Sequence, residues 1–207
     1  MTMEKYSLLE SYLDELFEEP KCELNYFNDY SLLIAVMLSA QTTDKRVNEV
    51  TKVLFNKYKN LEELSKASLL DMKKIIRPLG NYNRKSENVI AIAKILVDKY
   101  HSCVPVKRKD IESLPGVGHK TCNVFYSEYL HIPSFAVDTH VERVSKRLNL
   151  VKKNSDVMTI ENTLKRNIKR DNWGKRHLQM VLFGRYYCLA KKPLCDNCKL
   201  KTICKYK

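Results

Sequence analysis

Leu114-Pro115-Gly116-Val117-Gly118-His119-Lys120-Thr121 is the stretch whose reading decides the fold. Pro115, Gly116 and Gly118 stand too close together for a helix to run through them. Ile111-Glu112-Ser113 before them and Thr121 to Tyr126 after them are helix-compatible. The stretch therefore reads as helix, tight hairpin, helix. The two glycines allow positive φ and the close approach of another backbone. The second helix starts near Gly118, so its first amides point outward and form a site for an anion such as a phosphate. Lys120 falls in the first turn, at the positive end of the helix dipole. A cation is disfavoured there, which favours the neutral amine that a lysine nucleophile needs.

Working outward, the chain of 207 residues is long enough for one or two domains with a core of their own. Its 37 Lys plus Arg outnumber 24 Asp plus Glu, a net charge of +13 that favours a polyanionic partner. No apolar run reaches the roughly 18 residues of a membrane span. The first residues are acidic, with no signal-like apolar run, so an intracellular protein (cytoplasm or nucleoid) is expected. Of seven cysteines, four crowd the C-terminal end as Cys188-x6-Cys195-x2-Cys198-x5-Cys204. In a reducing compartment that clustering points to a metal or cluster rather than disulfides. By spacing alone both zinc and an iron–sulfur cluster stay open. Lys191 and Lys192 lie between the first two of these cysteines, where an anchored loop would offer them to phosphates. Cys22, Cys103 and Cys122 read as ordinary thiols.

Taken in order, apolar residues recur at helical spacing from Met3 to Glu18, and Pro20 closes that helix. Tyr30 to Leu38 is almost wholly apolar; strand and buried helix both fit the pattern, and its length and neighbours favour the helix. Ser39-Ala40-Gln41-Thr42-Thr43-Asp44 leads into a helix over 44–58, with Thr42, Thr43 or Asp44 as candidate N-cap and Asp44 expected mainly to cap. Short helices are predicted over 61–65 and 69–76, the second opened by a Ser68-x-x-Asp71 capping box. Arg77 to Asn83 forms a loop before a long helix over 84–100, and Val104 to Lys109 is a basic linker into the hairpin. After Pro133, Asp138 is placed to cap a helix over 139–148, with His140 and Arg143 in or near its first turn as phosphate contacts or solvent-facing residues. Helices over 156–169 and 175–187 complete an all-α reading without sustained strand alternation.

The hairpin with Lys120, the aspartate that follows it at Asp138, and the 6-2-5 cysteine spacing together resemble the helix–hairpin–helix DNA glycosylases. Within them they resemble the endonuclease III family of bifunctional glycosylase/AP lyases. That resemblance covers nearly the whole chain. It implies two α-helical domains, a barrel over 22–131 and a second domain of 1–21 with 132–207, with the active site in the cleft between them. It implies a [4Fe–4S] cluster on Cys188, Cys195, Cys198 and Cys204, ahead of zinc. It implies that Lys120 and Asp138 are catalytic, and that damaged duplex DNA meets Gly116, Gly118, His119, His140, Arg143, Lys191 and Lys192. In the family the residue matching Gln41 fills the space left by the extruded base, and the 77–83 loop wedges apolar side chains into the duplex. Leu79 matches one wedge position, with an ordinary core residue as the other reading. Asn81 stands where the family usually has leucine. A monomer without membrane association is expected. Two other readings stay open: an adenine or mismatch glycosylase of the same superfamily, and a non-catalytic DNA-binding or redox iron–sulfur protein.

Overall fold

A computed structural model of the chain describes residues 2–206, and every regular element among them is helical. The chain forms two compact units, one of residues 22–125 and one of 1–21 with 126–207. The boundary falls inside a helix rather than after residue 131. The carbonyl of Tyr126 accepts from the Ile132 amide at 2.9 Å, which ties the end of that helix to the segment that follows it.

The 22–125 unit is built around α2 (Asp29–Leu38), buried from Tyr30 to Leu38. Its start is a capping box: the Asn28 side chain accepts from the Ser31 amide, and the Ser31 hydroxyl accepts from the Asn28 amide. With its ends satisfied and all faces apolar, the segment buries as a helix. Around it lie α3 (Asp44–Lys57), α4 (Leu61–Ser65), α5 (Leu69–Ile76), α6 (Tyr82–Tyr100) and α7 (Arg108–Glu112). The apolar stripe of α6 (Val89, Ile92, Ala93, Leu96) faces inward. The Val104 amide donates to Asp29 at 2.7 Å and returns the chain to the start of α2. Four local expectations change. Thr43, not Asp44, caps α3, its hydroxyl accepting from the Arg46 amide. Ser68 precedes α5 but makes no side-chain cap, so the expected capping box is absent. The helix after the 77–81 loop begins earlier, at Tyr82. The basic linker ends in the short helix α7, with Lys107 at its N-cap.

The boundary helix is α8 (His119–Glu128). The other unit holds α1 (Thr2–Leu16), α9 (Thr139–Arg147), α10 (Val157–Asn167) and α11 (Trp173–Tyr186). Its core joins Leu9 and Leu13 of α1, Val141 and Val144 of α9, Ile160 and Leu164 of α10, and Met180 and Phe183 of α11. Helix α1 is joined to α11 there through Arg176, which is 6% exposed. Its guanidinium donates to Glu10 at 2.9 Å, to both Asp14 oxygens at 2.6 and 2.8 Å, and to Gln179 at 2.7 Å. These bonds from Arg176, with help from Lys175 and Gln179, hold the Asp14 carboxyl well below the usual carboxylate range. No described helix is long and apolar enough to cross a membrane.

Breaking the Arg176 fork leaves two carboxylates that still reach water in part, so Arg176→Met should cost about 2–3 kcal/mol, read as a lower thermal midpoint. Because Asp14 titrates lower in the folded chain, its contribution is present above the ordinary aspartate value of about 4 and fades as pH falls below it. Asp14→Asn should therefore flatten stability between neutral and acid pH. An unchanged acid slope would count against the pairing.

Candidate functional site

The hairpin's backbone rests on one glycine. Gly116 has φ +76°, a conformation that L side chains avoid, and a Cβ there would lie 2.3 Å from the Asn88 side-chain amide. The Val117 amide closes the turn on the Leu114 carbonyl at 3.0 Å, and Leu114 and Val117 are buried as its anchors. Gly118 differs from expectation: it lacks positive φ, and a Cβ there would meet nothing within 4 Å. Its carbonyl accepts from Cys122, so α8 starts directly after it, and Gly118, His119 and Lys120 are all exposed. Lys120 stands in the first turn of α8, as the sequence predicts.

The His119 ring is engaged within the chain. Its Nε2 lies 3.2 Å from Asn123 Nδ2 and its Nδ1 3.4 Å from Glu112. Arg108 donates to Glu112 at 2.9 Å and to Asn123 at 2.8 Å. These four side chains tie α7 to α8 across the hairpin. Arg108 and Asn123 were not singled out from sequence; each is polar on an inward helix face, which was the available signal.

Asp138 belongs to the other unit. The preceding Phe135-Ala136-Val137 is buried, and His177 of α11 holds the Ala136 carbonyl at 2.8 Å. The chain then turns into α9 with Asp138 as N-cap. One carboxylate oxygen, Oδ1, accepts from the His140 amide at 2.9 Å and the Val141 amide at 2.8 Å. The Oδ2 atom lies outside these two bonds. His140 is half-buried, and a Cβ on Gly184 of α11 would come within 2.8 Å of its Cβ. Arg143 donates to the Gly184 carbonyl at 2.6 Å, to the Cys188 carbonyl at 3.1 Å, and meets His140 Nδ1 at 3.1 Å. Burial lowers its pKa, the Cys188 thiol opposing. The guanidinium thus satisfies carbonyls at the end of α11.

In the 22–125 unit, Gln41 lies in the turn between α2 and α3, exposed and left-handed with φ 56°. Asn81, also exposed, is the left-handed N-cap residue of α6 and makes no side-chain cap there. Leu79 is 1% exposed, and its amide bonds the Ile76 carbonyl at 2.8 Å, which carries the chain through one more turn. Lys85, missed from sequence, is buried and donates to the Ala40 carbonyl at 2.8 Å and the Thr42 hydroxyl at 3.1 Å. Its signal was a lysine on the apolar face of α6, at helical spacing before Val89.

Cys188, Cys195, Cys198 and Cys204 all line one small apolar cavity with Leu148, Phe183, Tyr187 and Leu194. Among the described residues no group of three His, Cys, Asp or Glu side chains is drawn in tightly enough to hold a metal ion. Burial pushes the Cys198 thiol up, a bond from Leu200 opposes this, and Cys188, Cys204 and Cys195 push it further. A bound cation would reverse that mutual repulsion. The donor set fits a thiolate-ligated centre: four sulfurs of one loop, a low-dielectric wall and a cationic neighbour. That neighbour is Arg147, also missed from sequence. It donates to Cys188 Sγ at 3.4 Å, the Leu189 carbonyl at 2.6 Å and the Ala190 carbonyl at 3.0 Å. Lys191 and Lys192 are exposed in the span that the Leu194 to Tyr187 bond closes. Of the other cysteines, Cys122 is buried, its thiol pushed up to about 11, while Cys103 is exposed and Cys22 half-buried.

The HhH-GPD superfamily, described as base excision DNA repair proteins, matches residues 34–170. Endonuclease III of Bacillus subtilis (strain 168) is 40% identical over 93% of this chain and 88% of its own length. Endonuclease III of Rickettsia felis is 45% identical over 90% of this chain and 87% of its own. Among solved structures, a trapped endonuclease III–DNA covalent intermediate in an estranged-adenine complex superposes with a TM-score of 0.95. It is 40% identical and covers 99% of this chain and 96% of that one.

The two glycines should separate in a stability measurement. Gly116→Ala forces a methyl into the left-handed region and should cost about 1–2 kcal/mol. Gly118→Ala meets open space and should change stability by less than about 0.5 kcal/mol. Equal shifts in thermal midpoint would show that the hairpin does not depend on the Gly116 backbone.

Proposed function

The chain belongs to the HhH-GPD superfamily of base excision DNA repair proteins and, within it, to the endonuclease III family, and from this membership we propose that it removes oxidised pyrimidines from duplex DNA through a Lys120 Schiff base. It is a DNA glycosylase with AP lyase activity. One observation carries the assignment of the nucleophile: Lys120 is exposed in the first turn of α8, directly after the hairpin that Gly116 shapes. The covalent DNA adduct of the 40% identical neighbour supports a nucleophilic route.

Phosphates dock on the outward amides of the hairpin and on exposed cations, Lys191 and Lys192 among them. The damaged nucleotide leaves the stack, at least cost where pairing is already poor. The deprotonated Lys120 amine attacks C1′; the bond from C1′ to the base nitrogen breaks and its electron pair leaves with the base, which is protonated. The secondary amine then opens the sugar to a Schiff base. Loss of a C2′ proton expels the 3′ phosphate by β-elimination, and water releases Lys120. Asp138 offsets the positive charge that develops at the sugar and helps Lys120 shed its proton. Two backbone amides on Oδ1 aim this carboxylate, with Oδ2 outside those bonds.

The four cysteines are proposed to hold a [4Fe–4S] cluster that anchors the loop carrying Lys191 and Lys192. When bound, the cluster supplies a rigid thiolate cross-link. The reaction proceeds on the lysine and the aspartate. A protein of this kind works where the genome is, so an intracellular setting follows.

Incubation with a thymine glycol duplex and borohydride should trap a protein–DNA adduct. Lys120→Gln should abolish trapping while still binding abasic duplex. Asp138→Asn keeps a good helix cap but loses the charge, so it should slow trapping by about 100-fold or more while leaving the fold intact. Base release by the wild type without an adduct would make the enzyme monofunctional and overturn the mechanism. Anaerobic purification should yield iron and acid-labile sulfide in equal amounts, both lost in Cys198→Ser. Zinc in their place would overturn the cluster.

A further inference from the structure

Gln41 and Asn81 lie 40 positions apart, and Asn81 Nδ2 donates to Gln41 Oε1 at 3.4 Å. Both side chains are exposed, and both backbones are left-handed, with φ of 56° and 57°. Asparagine tolerates that backbone better than leucine does, which is a conformational reason for Asn81. It does not explain the side chain. An N-cap asparagine ordinarily bonds the first amides of its helix, and this one does not cap α6; it reaches across to Gln41. An open hollow of about 490 Å³ lies against Asn81, Tyr82, Asn83 and Arg84.

Lys85 connects the same two segments. It lies in the first turns of α6, where a cation is disfavoured by the dipole, and only 5% of it is exposed. Its two acceptors are the Ala40 carbonyl and the Thr42 hydroxyl, the neighbours of Gln41 on either side. Burial lowers the pKa of this ammonium, as a lysine with only neutral acceptors would show. Placing a cation there is costly, and what it secures is the turn that carries Gln41.

We infer that Gln41 and Asn81, held together by Lys85, form a polar reader for the base left opposite the extruded nucleotide, with Asn81 the specificity-determining residue and Lys85 its positioning residue. The inference rests on the proposed action on a nucleotide flipped from duplex DNA. An unpaired base presents neighbouring donor and acceptor groups on its pairing edge. The mutual hydrogen bond uses one donor of Asn81 and one lone pair of Gln41, leaving Asn81 Oδ1 as acceptor and Gln41 Nε2 as donor. Such a pair distinguishes edges, whereas an apolar side chain fills space without reading them.

The test is equilibrium binding of the purified protein, at fixed salt, to four duplexes carrying a tetrahydrofuran abasic analogue opposite A, C, G or T. The wild type should spread these affinities by about 5-fold or more, the discrimination of one good two-point contact. Asn81→Gly keeps a backbone suited to positive φ but has no amide, and should narrow the spread to below about twofold. Lys85→Met should narrow it likewise with Asn81 intact; if that variant does not fold, Thr42→Val removes one Lys85 acceptor and should narrow it in part. A flat wild-type profile, or an undiminished spread in Asn81→Gly, overturns the inference while tight abasic binding keeps the repair reading. An undiminished spread in both Lys85→Met and Thr42→Val overturns the role of Lys85. Binding no tighter to any abasic duplex than to undamaged DNA would overturn the repair reading itself.

Discussion

Each helix of this chain begins with amides that no earlier turn can bond, and the starts are settled in different ways. Asn28, Thr43, Asn60 and Asp156 cap α2, α3, α4 and α10 with their side chains. Those starts are closed, and none carries a proposed role. The starts of α5, α7 and α11 have no side-chain cap, and two further starts of that kind carry proposed roles. Before α8 stands Gly118, which has no side chain to give, so the helix that carries Lys120 opens outward. Before α6 stands Asn81, whose amide goes to Gln41 instead of its own helix. Asp138 caps α9 through one oxygen, as Asp156 caps α10. At α9 the cap and the charge proposed for chemistry are the same group.

This division explains what could be read beforehand. The hairpin was legible because its determinants are local: one proline, two glycines and a lysine within a few positions. Asp138 was legible as a cap for the same reason, and the four cysteines because few residue types share their chemistry. The wholly apolar run in α2 left helix and strand open by pattern, and length with its helical neighbours decided it. The place of Leu79 stayed open by pattern, because Pro78 and Gly80 around it signal a loop; in the fold its amide bonds the Ile76 carbonyl and its side chain is buried. The partners of Lys85, Arg147 and Arg176 were invisible for the opposite reason: they lie 45, 42 and 162 positions away, beyond any periodicity.

The same three residues refine the reading of the net charge. A surplus of cations suggests a surface for a polyanion, yet several cations here work inward. Arg176 joins α1 to α11, Lys85 secures a turn, and Arg143 and Arg147 satisfy carbonyls past the end of α11. Arginine suits the last task because a planar fork bonds two carbonyls at once and resists losing its charge when buried. Lys120, Lys191 and Lys192 are among the cations left facing water. These three sit at a helix start and on a short closed loop, where position matters more than number.

Arg143 and Arg147 also give the cysteine loop a mechanical connection within its own unit. They are four residues apart on α9, on one face, and both bond the 184–190 segment. Asp138 opens that helix and Arg147 closes it. Tyr206 packs on the Arg147 guanidinium at 3.8 Å, and the Lys205 amide bonds the Arg147 carbonyl at 2.7 Å, so the C-terminal segment is fastened at the same point. Nine helical residues therefore stand between the proposed charge at the sugar and the loop that four cysteines fold. A helix of that length moves as one body. Ordering the loop around a cluster would hold Arg147, and through α9 it would hold the aspartate, even though no cysteine takes part in the chemistry.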